Sequence, residues 1–364
     1  MKFINLDHYQ KYLESLLDDN ELNLSISDML SSLIGMRDIT DKKEIESLVK
    51  SSSYEEKEIL MSKIADYLDF DLSFEDNEEI FNRYIADIIT PLDINKYLNN
   101  PYYQLFKDLK AKDKDYELVI DKYVPYELFA YQDMSTFVDS YIEKNSIGYF
   151  VDEYPFLALN KNGITWMSVT PNEIETMEAS INEVKGNVVV FGLGLGYFAF
   201  MASLKLEVKS VTIIENDKNV ISLFNKYIYP KFPNKEKIEI KCIDALDYIK
   251  SPINKDYAFV DLWHDPYDGL ELFLKFKAIE NKSNCKFLYW LESSFYLLLR
   301  RCMFSLIAEQ LEGFNDSNYK ISENVNDKII NQYYFVTKNL TISSKVDLDN
   351  LLSEETLLSL LLHH

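Results

Sequence analysis

Hydrophobic and polar positions follow two different periods along this chain, and the change of period divides it. From the start to about residue 90 the apolar positions recur three and four residues apart, over 9–17, 43–49, 54–68 and 77–89, with Asp or Ser at the breaks. That spacing gathers apolar side chains on one face of a helix and predicts a small helical bundle. Between 91 and about 180 aromatic residues crowd together, including Tyr102, Tyr103, Phe106, Tyr149 and Tyr154, and 116–120 and 148–159 have strand character. The Asn162-Gly163 pair ahead of Ile164 predicts a hairpin, because both residue types tolerate positive φ. Beyond 181 short apolar runs take over, at 188–191, 211–214, 257–260 and 286–290, with an alternating one at 238–242, each followed by polar residues. Such runs, separated by helix-length stretches, predict buried parallel strands.

The expected fold class is therefore α/β. A Rossmann-like, doubly wound sheet is expected over 181–346, behind a helical domain at 1–90 and an aromatic-rich α+β connector at 91–180. A helix is expected from 295 to about 311, and 329–336 with 340–343 read as a closing antiparallel pair of strands. The leucine-rich stretch at 347–364 predicts a helical tail that docks on the bundle or on a second chain.

Length and composition narrow the function. With 364 residues, 47% of them apolar, the chain can build two sizeable cores. Sixty acids against 38 bases leave a net charge of −22, which argues against a nucleic-acid partner, since a surface so negative repels phosphates. The three cysteines, Cys242, Cys285 and Cys302, stand in apolar contexts with no zinc spacing and no disulfide pattern, so no metal is expected and a reducing cytoplasm is the simplest home. No apolar run reaches the roughly 18 residues that span a bilayer, and no membrane role is expected.

Candidate chemistry is concentrated in the last two thirds. Three of the nine glycines, Gly192, Gly194 and Gly196, fall between the first apolar run and a helix-like pattern. Glycines there let backbone amides approach a cofactor of nucleotide type, although the same string also forms tight turns that bind nothing. Glu215 closes the second run, where a carboxylate can accept both hydroxyls of a ribose. A surface acid is the alternative for Glu215, and a helix N-cap for Asp244. Open α/β sheets bind ligands beyond the carboxyl ends of their strands, so the glycines, Glu215, Asp244 and Asp261 are expected to converge. A dinucleotide loop would carry a third glycine where Tyr197 stands, which argues against nicotinamide. The fourth run leads into Asp261, Trp263, His264, Asp265, Pro266 and Asp268. His264 is the one histidine away from the chain ends, His8 lying near the start and His363 and His364 resembling a tag remnant. A histidine among acids suits general-base work near neutral pH. It also suits covering a cofactor or capping the next helix.

Taken together, the glycine spacing, Glu215, the Asp244-Ala245 pair and Asp261 resemble the class I S-adenosylmethionine-dependent methyltransferases. Residues 215–221 and 244–249 are most similar to the spermidine synthase branch, and 159–166 with Asn172 and Glu173 resemble its small hairpin and the D-E segment that follows. The resemblance covers roughly residues 145–300. It implies S-adenosylmethionine or its decarboxylated form as cofactor, with Gly192, Leu193, Gly194 and Gly196 under the methionine part. Glu215 and Asn216 would stand at the ribose, Asp244 and Ala245 at the adenine, and Asp261 beside the reacting end. The implied activity is methyl transfer to a small-molecule or protein acceptor, with Asp261, His264 or Asp265 removing a proton. Aminopropyl transfer and a non-catalytic cofactor-binding or interaction module are the alternatives. Where the branch carries a hairpin Gln and a Tyr-His pair, this chain has Trp166, Thr176 and Met177, which argues against polyamine recognition. The branch also implies a homodimer, a contact that an added helical domain could block or replace.

Overall fold

The computed structural model describes residues 1–37, 41–280, 282–320 and 322–362. Its first long element, helix α1 (Gln10–Leu33), is 24 residues long, or about 36 Å, and serves two cores. Leu13 and Leu16 in its first half join the large core that continues beneath the sheet. Ile26, Leu30 and Leu33 in its second half join a smaller core with Ile45, Leu60 and Ile64 from helices Lys42–Ser51 and Glu56–Tyr67. The second of these helices starts on a capping box between Glu55 and Glu58, which satisfies backbone donors the first turn would otherwise leave open. Tyr126, Leu128, Ile147 and Tyr149 of the connector enter the same small core, so the helical region and the connector share apolar contacts across residue 90. The expected helix over 77–89 is interrupted: Glu75–Phe81 is α-helical, Asn82–Ala86 forms a π turn, and Ile89–Pro91 pairs as a parallel strand with Ile147–Tyr149.

The connector builds a four-stranded antiparallel sheet in the order Ile164–Ser168, Tyr154–Lys161, Tyr116–Tyr123, Ala111–Asp113. Asn162 and Gly163 turn the hairpin with φ of 53° and 81°, the paired positive values a two-residue turn needs. Helix α2 (Pro171–Glu183) then leads into the main sheet. Its five strands are β1 (Gly186–Phe191), β2 (Val208–Glu215), β3 (Ile238–Cys242), β4 (Tyr257–Val260) and β5 (Lys286–Tyr289), all parallel, in the order β3-β2-β1-β4-β5. Order reverses between β1 and β4, the position at which such sheets open a crevice. Register sharpens this: Phe191 pairs with Ile214 on one side and Val260 on the other. The residues that follow, Gly192, Glu215 and Asp261, therefore leave the sheet at one edge.

Helices cover both faces. Phe198 on helix α3 (Tyr197–Leu204) stacks on Phe259 at 3.9 Å, and Phe276 on helix α4 (Pro266–Glu280) meets Phe191 edge-on at 4.8 Å. Helix α5 (Glu292–Leu311) follows β5, as the sequence predicts.

The expected closing pair of strands is not present. Residues 329–336 lie within helix α6 (Val325–Thr337), and Thr341–Ile342 pairs parallel with Lys2–Phe3 near the chain start. Ile329, Tyr333 and Thr337, four residues apart, are all buried, and Asn324 caps the helix through the Asp327 amide. The Ile-rich and Tyr-rich composition favours a strand, but a four-residue apolar period facing a neighbouring core decides for the helix. The tail forms helices Lys345–Leu351 and Glu354–Leu362, docked within the chain. Arg300 on α5 donates to the Leu352 carbonyl at 3.1 Å and Tyr333 to the Leu357 carbonyl at 3.0 Å. His363 and His364 lie outside the described residues. No described helix is long and apolar enough to cross a membrane.

Candidate functional site

A cavity of about 580 Å³ opens where β1, β2 and β4 end, within the range typical of small-molecule sites. Gly192 begins it. Its φ is +96°, and a Cβ there would stand 1.9 Å from the Asp261 carbonyl oxygen, so this turn can approach β4 only as glycine. A Cβ on Gly194 would meet nothing within 4 Å; the backbone here faces open space in the cavity.

Glu215 is clamped rather than free. One oxygen accepts from the Leu193 amide at 3.2 Å, and the other from the Asn216 and Asp217 amides at 2.8 Å each. The carboxylate thereby ties the glycine loop to the end of β2, and it lines the cavity. Asp217 next to it accepts from the Tyr116 hydroxyl at 3.2 Å, joining the connector to this end. Trp166 packs against Tyr116 with ring centroids 5.7 Å apart. Asp244 plays two parts: one oxygen caps a short helix through the Leu246 amide at 2.8 Å, and the other accepts from the Asn216 side chain at 3.4 Å. Both Asp244 and Ala245 line the cavity. Gly192, Leu193, Gly194, Gly196, Glu215, Asn216, Asp244, Ala245, Asp261 and His264 are thus brought together around one space.

The opposite end is built by α2 and the ends of β4 and β5. Pro171 and the first turn of α2 aim Glu173, and one turn later Met177, into the cavity. Between them Thr176 accepts from the Trp290 indole at 2.8 Å, and the Trp263 indole donates to the Trp290 carbonyl at 3.1 Å. All three tryptophans of the chain, Trp166, Trp263 and Trp290, line the space.

Two carboxyl groups there are strongly perturbed. Burial pushes Asp261 up to about 7, with a smaller opposing effect from His264. Burial also raises Glu173 well above the usual carboxyl range, and the negative charge of Asp261 adds to it. Both side chains are enclosed by protein yet open onto the cavity, and burial favours the protonated form of each. Five acids line the cavity, Glu173, Glu215, Asp217, Asp244 and Asp261, and among its described lining residues there is no lysine or arginine.

The other two candidates for catalysis divide. His264 lines the mouth, where its Nδ1 lies 2.9 Å from the Asp268 carboxylate, which also accepts from the His264 amide at 3.0 Å. Asp268, a turn along α4, is thus the acid that holds this histidine. Asp265 is not brought into the cavity. Its carboxylate accepts from the Tyr267 amide at 2.7 Å and the Asp268 amide at 3.0 Å, so it caps the start of α4. Exchanging Asp265 for alanine should cost about 1 kcal/mol of stability in chemical denaturation while ligand binding is unchanged; lost binding would put Asp265 back in the site.

Sequence reasoning missed Glu173 and Trp290 as site residues. The signal for Glu173 was the resemblance of Asn172 and Glu173 to a D-E segment, which was not carried over to a role, and Trp290 had none beyond ending a strand.

No protein-family model matches the chain, and no curated protein does. Among solved structures, a spermidine synthase from Thermotoga maritima aligns with 17% identity and a TM-score of 0.31, covering 53% of this chain and 62% of that one. A spermidine synthase in complex with the transition-state analogue AdoDATO aligns with 16% identity and a TM-score of 0.31, covering 53% of this chain and 61% of that one. The aligned part spans about three fifths of the length of these relatives.

Proposed function

We propose that the chain is a transferase that takes an alkyl group from an adenosyl sulfonium donor, with the decarboxylated, aminopropyl donor as its substrate. One observation carries this reading: five acids line the cavity with no lysine or arginine among the described residues there. A decarboxylated donor bears two positive charges and no carboxylate, whereas S-adenosylmethionine brings a carboxylate that this lining has no lysine or arginine to meet, its one basic side chain, His264, being held by Asp268 at the mouth. The residues present suit such a donor. Glu215, held by backbone amides at the lining, would take the ribose hydroxyls, Asp244 would take the adenine amino group, and the open face of Gly194 leaves room for the chain that joins nucleoside to sulfonium.

When bound, the sulfonium supplies an electrophilic carbon and leaves as a neutral thioether. The protein's own work is to place two cations and move one proton. Glu173 holds the donor's ammonium. Asp261, titrating near neutral, takes a proton from the acceptor so that its lone pair is free to form the new bond. The walls of Trp263 and Trp290 exclude water from this end.

Methyl transfer from S-adenosylmethionine is the second reading. It is favoured by the backbone at Gly194, which stands open at the entry to α3 and can offer an amide to a carboxylate.

Calorimetry with the decarboxylated donor, S-adenosylmethionine and NAD decides among them. The decarboxylated form is expected to bind at least tenfold more tightly than S-adenosylmethionine, with NAD not bound. Glu215→Ala should weaken the decarboxylated form a hundredfold, since it frees the loop as well as removing the ribose ligand. Preference for S-adenosylmethionine would select methyl transfer. No binding of either would leave the inert cofactor-module reading ahead.

A further inference from the structure

The cavity separates into an acidic nucleoside end and an end whose described acids are two carboxyls, with His264 and its partner Asp268 at the mouth. At the nucleoside end stand Glu215, Asp217 and Asp244. At the other, Glu173 and Asp261 share the lining with Met177, Trp263, Leu272 and Trp290. The wall beyond the pair is fixed rather than adaptable. Trp290 is anchored to α2 through Thr176, Trp263 is anchored to the Trp290 carbonyl, and Trp263 packs edge-on against Phe295 at 4.9 Å.

From this arrangement we infer that the acceptor is a monoamine with an apolar body, aliphatic or aromatic, rather than a diamine or polyamine. The inference rests on the donor reading above and counts charges within it. One carboxylate of the pair is matched to the donor's ammonium and the other to the acceptor's proton. Transfer then balances: the amine gives its proton to Asp261, its lone pair forms the carbon–nitrogen bond, and the carbon–sulfur electrons pass to the sulfonium, which leaves neutral. No carboxylate remains for a second ammonium. That group would lie against Met177, Leu272 and the tryptophans, and a ring face offers an ammonium less than its desolvation costs. An apolar tail in the same place is stabilised by burial instead. Thr176 and Met177 make the same point from α2: Thr176 is already engaged by an indole, and Met177 has no hydrogen bond to donate.

Amines titrated into the full chain saturated with the decarboxylated form of S-adenosylhomocysteine at pH 8, with calorimetry and tryptophan fluorescence as readouts, test this. That thioether fills the nucleoside end, supplies the donor's ammonium to one carboxylate of the pair and cannot transfer its alkyl group. Hexylamine and phenethylamine are expected to bind at least tenfold more tightly than 1,4-diaminobutane and to shift the emission, because Trp263 and Trp290 line their site. Equal or tighter binding of 1,4-diaminobutane, or no amine binding with the thioether in place, would overturn the inference and leave the donor reading standing. If the thioether itself does not bind, the donor reading falls and takes this one with it.

Discussion

Asp261→Asn is expected to lower turnover at pH 7 at least a hundredfold and, at the same time, to make the free protein more stable above neutral pH. The first effect follows from removing the group that takes the acceptor's proton, since a positioned base typically contributes a hundredfold or more. The second follows from its titration. Burial raises Asp261 in the folded protein from the ordinary carboxyl range to about 7. The folded state therefore binds a proton more tightly than the unfolded state does. Stability from this group is fully present below about pH 4 and is lost as pH rises through about 7. In full that elevation amounts to about 4 kcal/mol, an upper bound because the side chain opens onto the solvent-filled cavity. Urea denaturation at pH 5 and pH 8 should show the unsubstituted chain losing stability between the two and Asp261→Asn losing less. Activity surviving in the variant, or an unchanged pH dependence, would remove Asp261 from its assigned role. Because the charge on Asp261 is what adds to the elevation of Glu173, and not the reverse, Glu173→Gln is the companion variant: it should leave the pH at which Asp261 ionises nearly unchanged while weakening binding of the donor whose ammonium it holds.

For Gly192→Ala the expected result is a protein that loses both stability and donor binding. The backbone is at φ +96°, and the added methyl would stand 1.9 Å from the Asp261 carbonyl oxygen, a backbone atom that cannot swing away. Either the turn unwinds or β4 separates from β1 at its end, and a cost of about 3 kcal/mol or more is expected from such strain. A thermal melt lowered by less than 2–3 °C would show that the turn has more freedom than its contacts with β4 suggest. Gly194→Ala is the control. A Cβ there meets nothing within 4 Å, so steric overlap is absent and only the strain of a positive φ remains, of about 1 kcal/mol. Donor binding should suffer more than stability, because the new methyl projects into the space the ligand would use.

Much of this protein is determined by local sequence. Continuous apolar runs ending in Glu215 and Asp261 specify buried parallel strands, because a strand covered on both faces admits little else, and the alternating run before Asp244 specifies the edge strand beside them. Alternating glycines specify a turn that closes tightly on β4, and Asn162-Gly163 specifies the hairpin, because few other residues take those backbone angles. What tertiary structure alone decided depends on neighbours distant along the chain. The stretch 329–336 has strand-like composition, yet it is helical because Ile329, Tyr333 and Thr337 find a buried face to fill. Asp265 and Asp268 look interchangeable on paper, and only the start of α4 makes one a cap and the other the partner of His264. Glu173 and Asp261 are far apart in sequence, and each alone is an ordinary acid. Enclosure by α2 and the end of β4 raises both and lets the charge of Asp261 act on Glu173, because the cost of burying charge is set by the surrounding protein rather than by the residue that carries it.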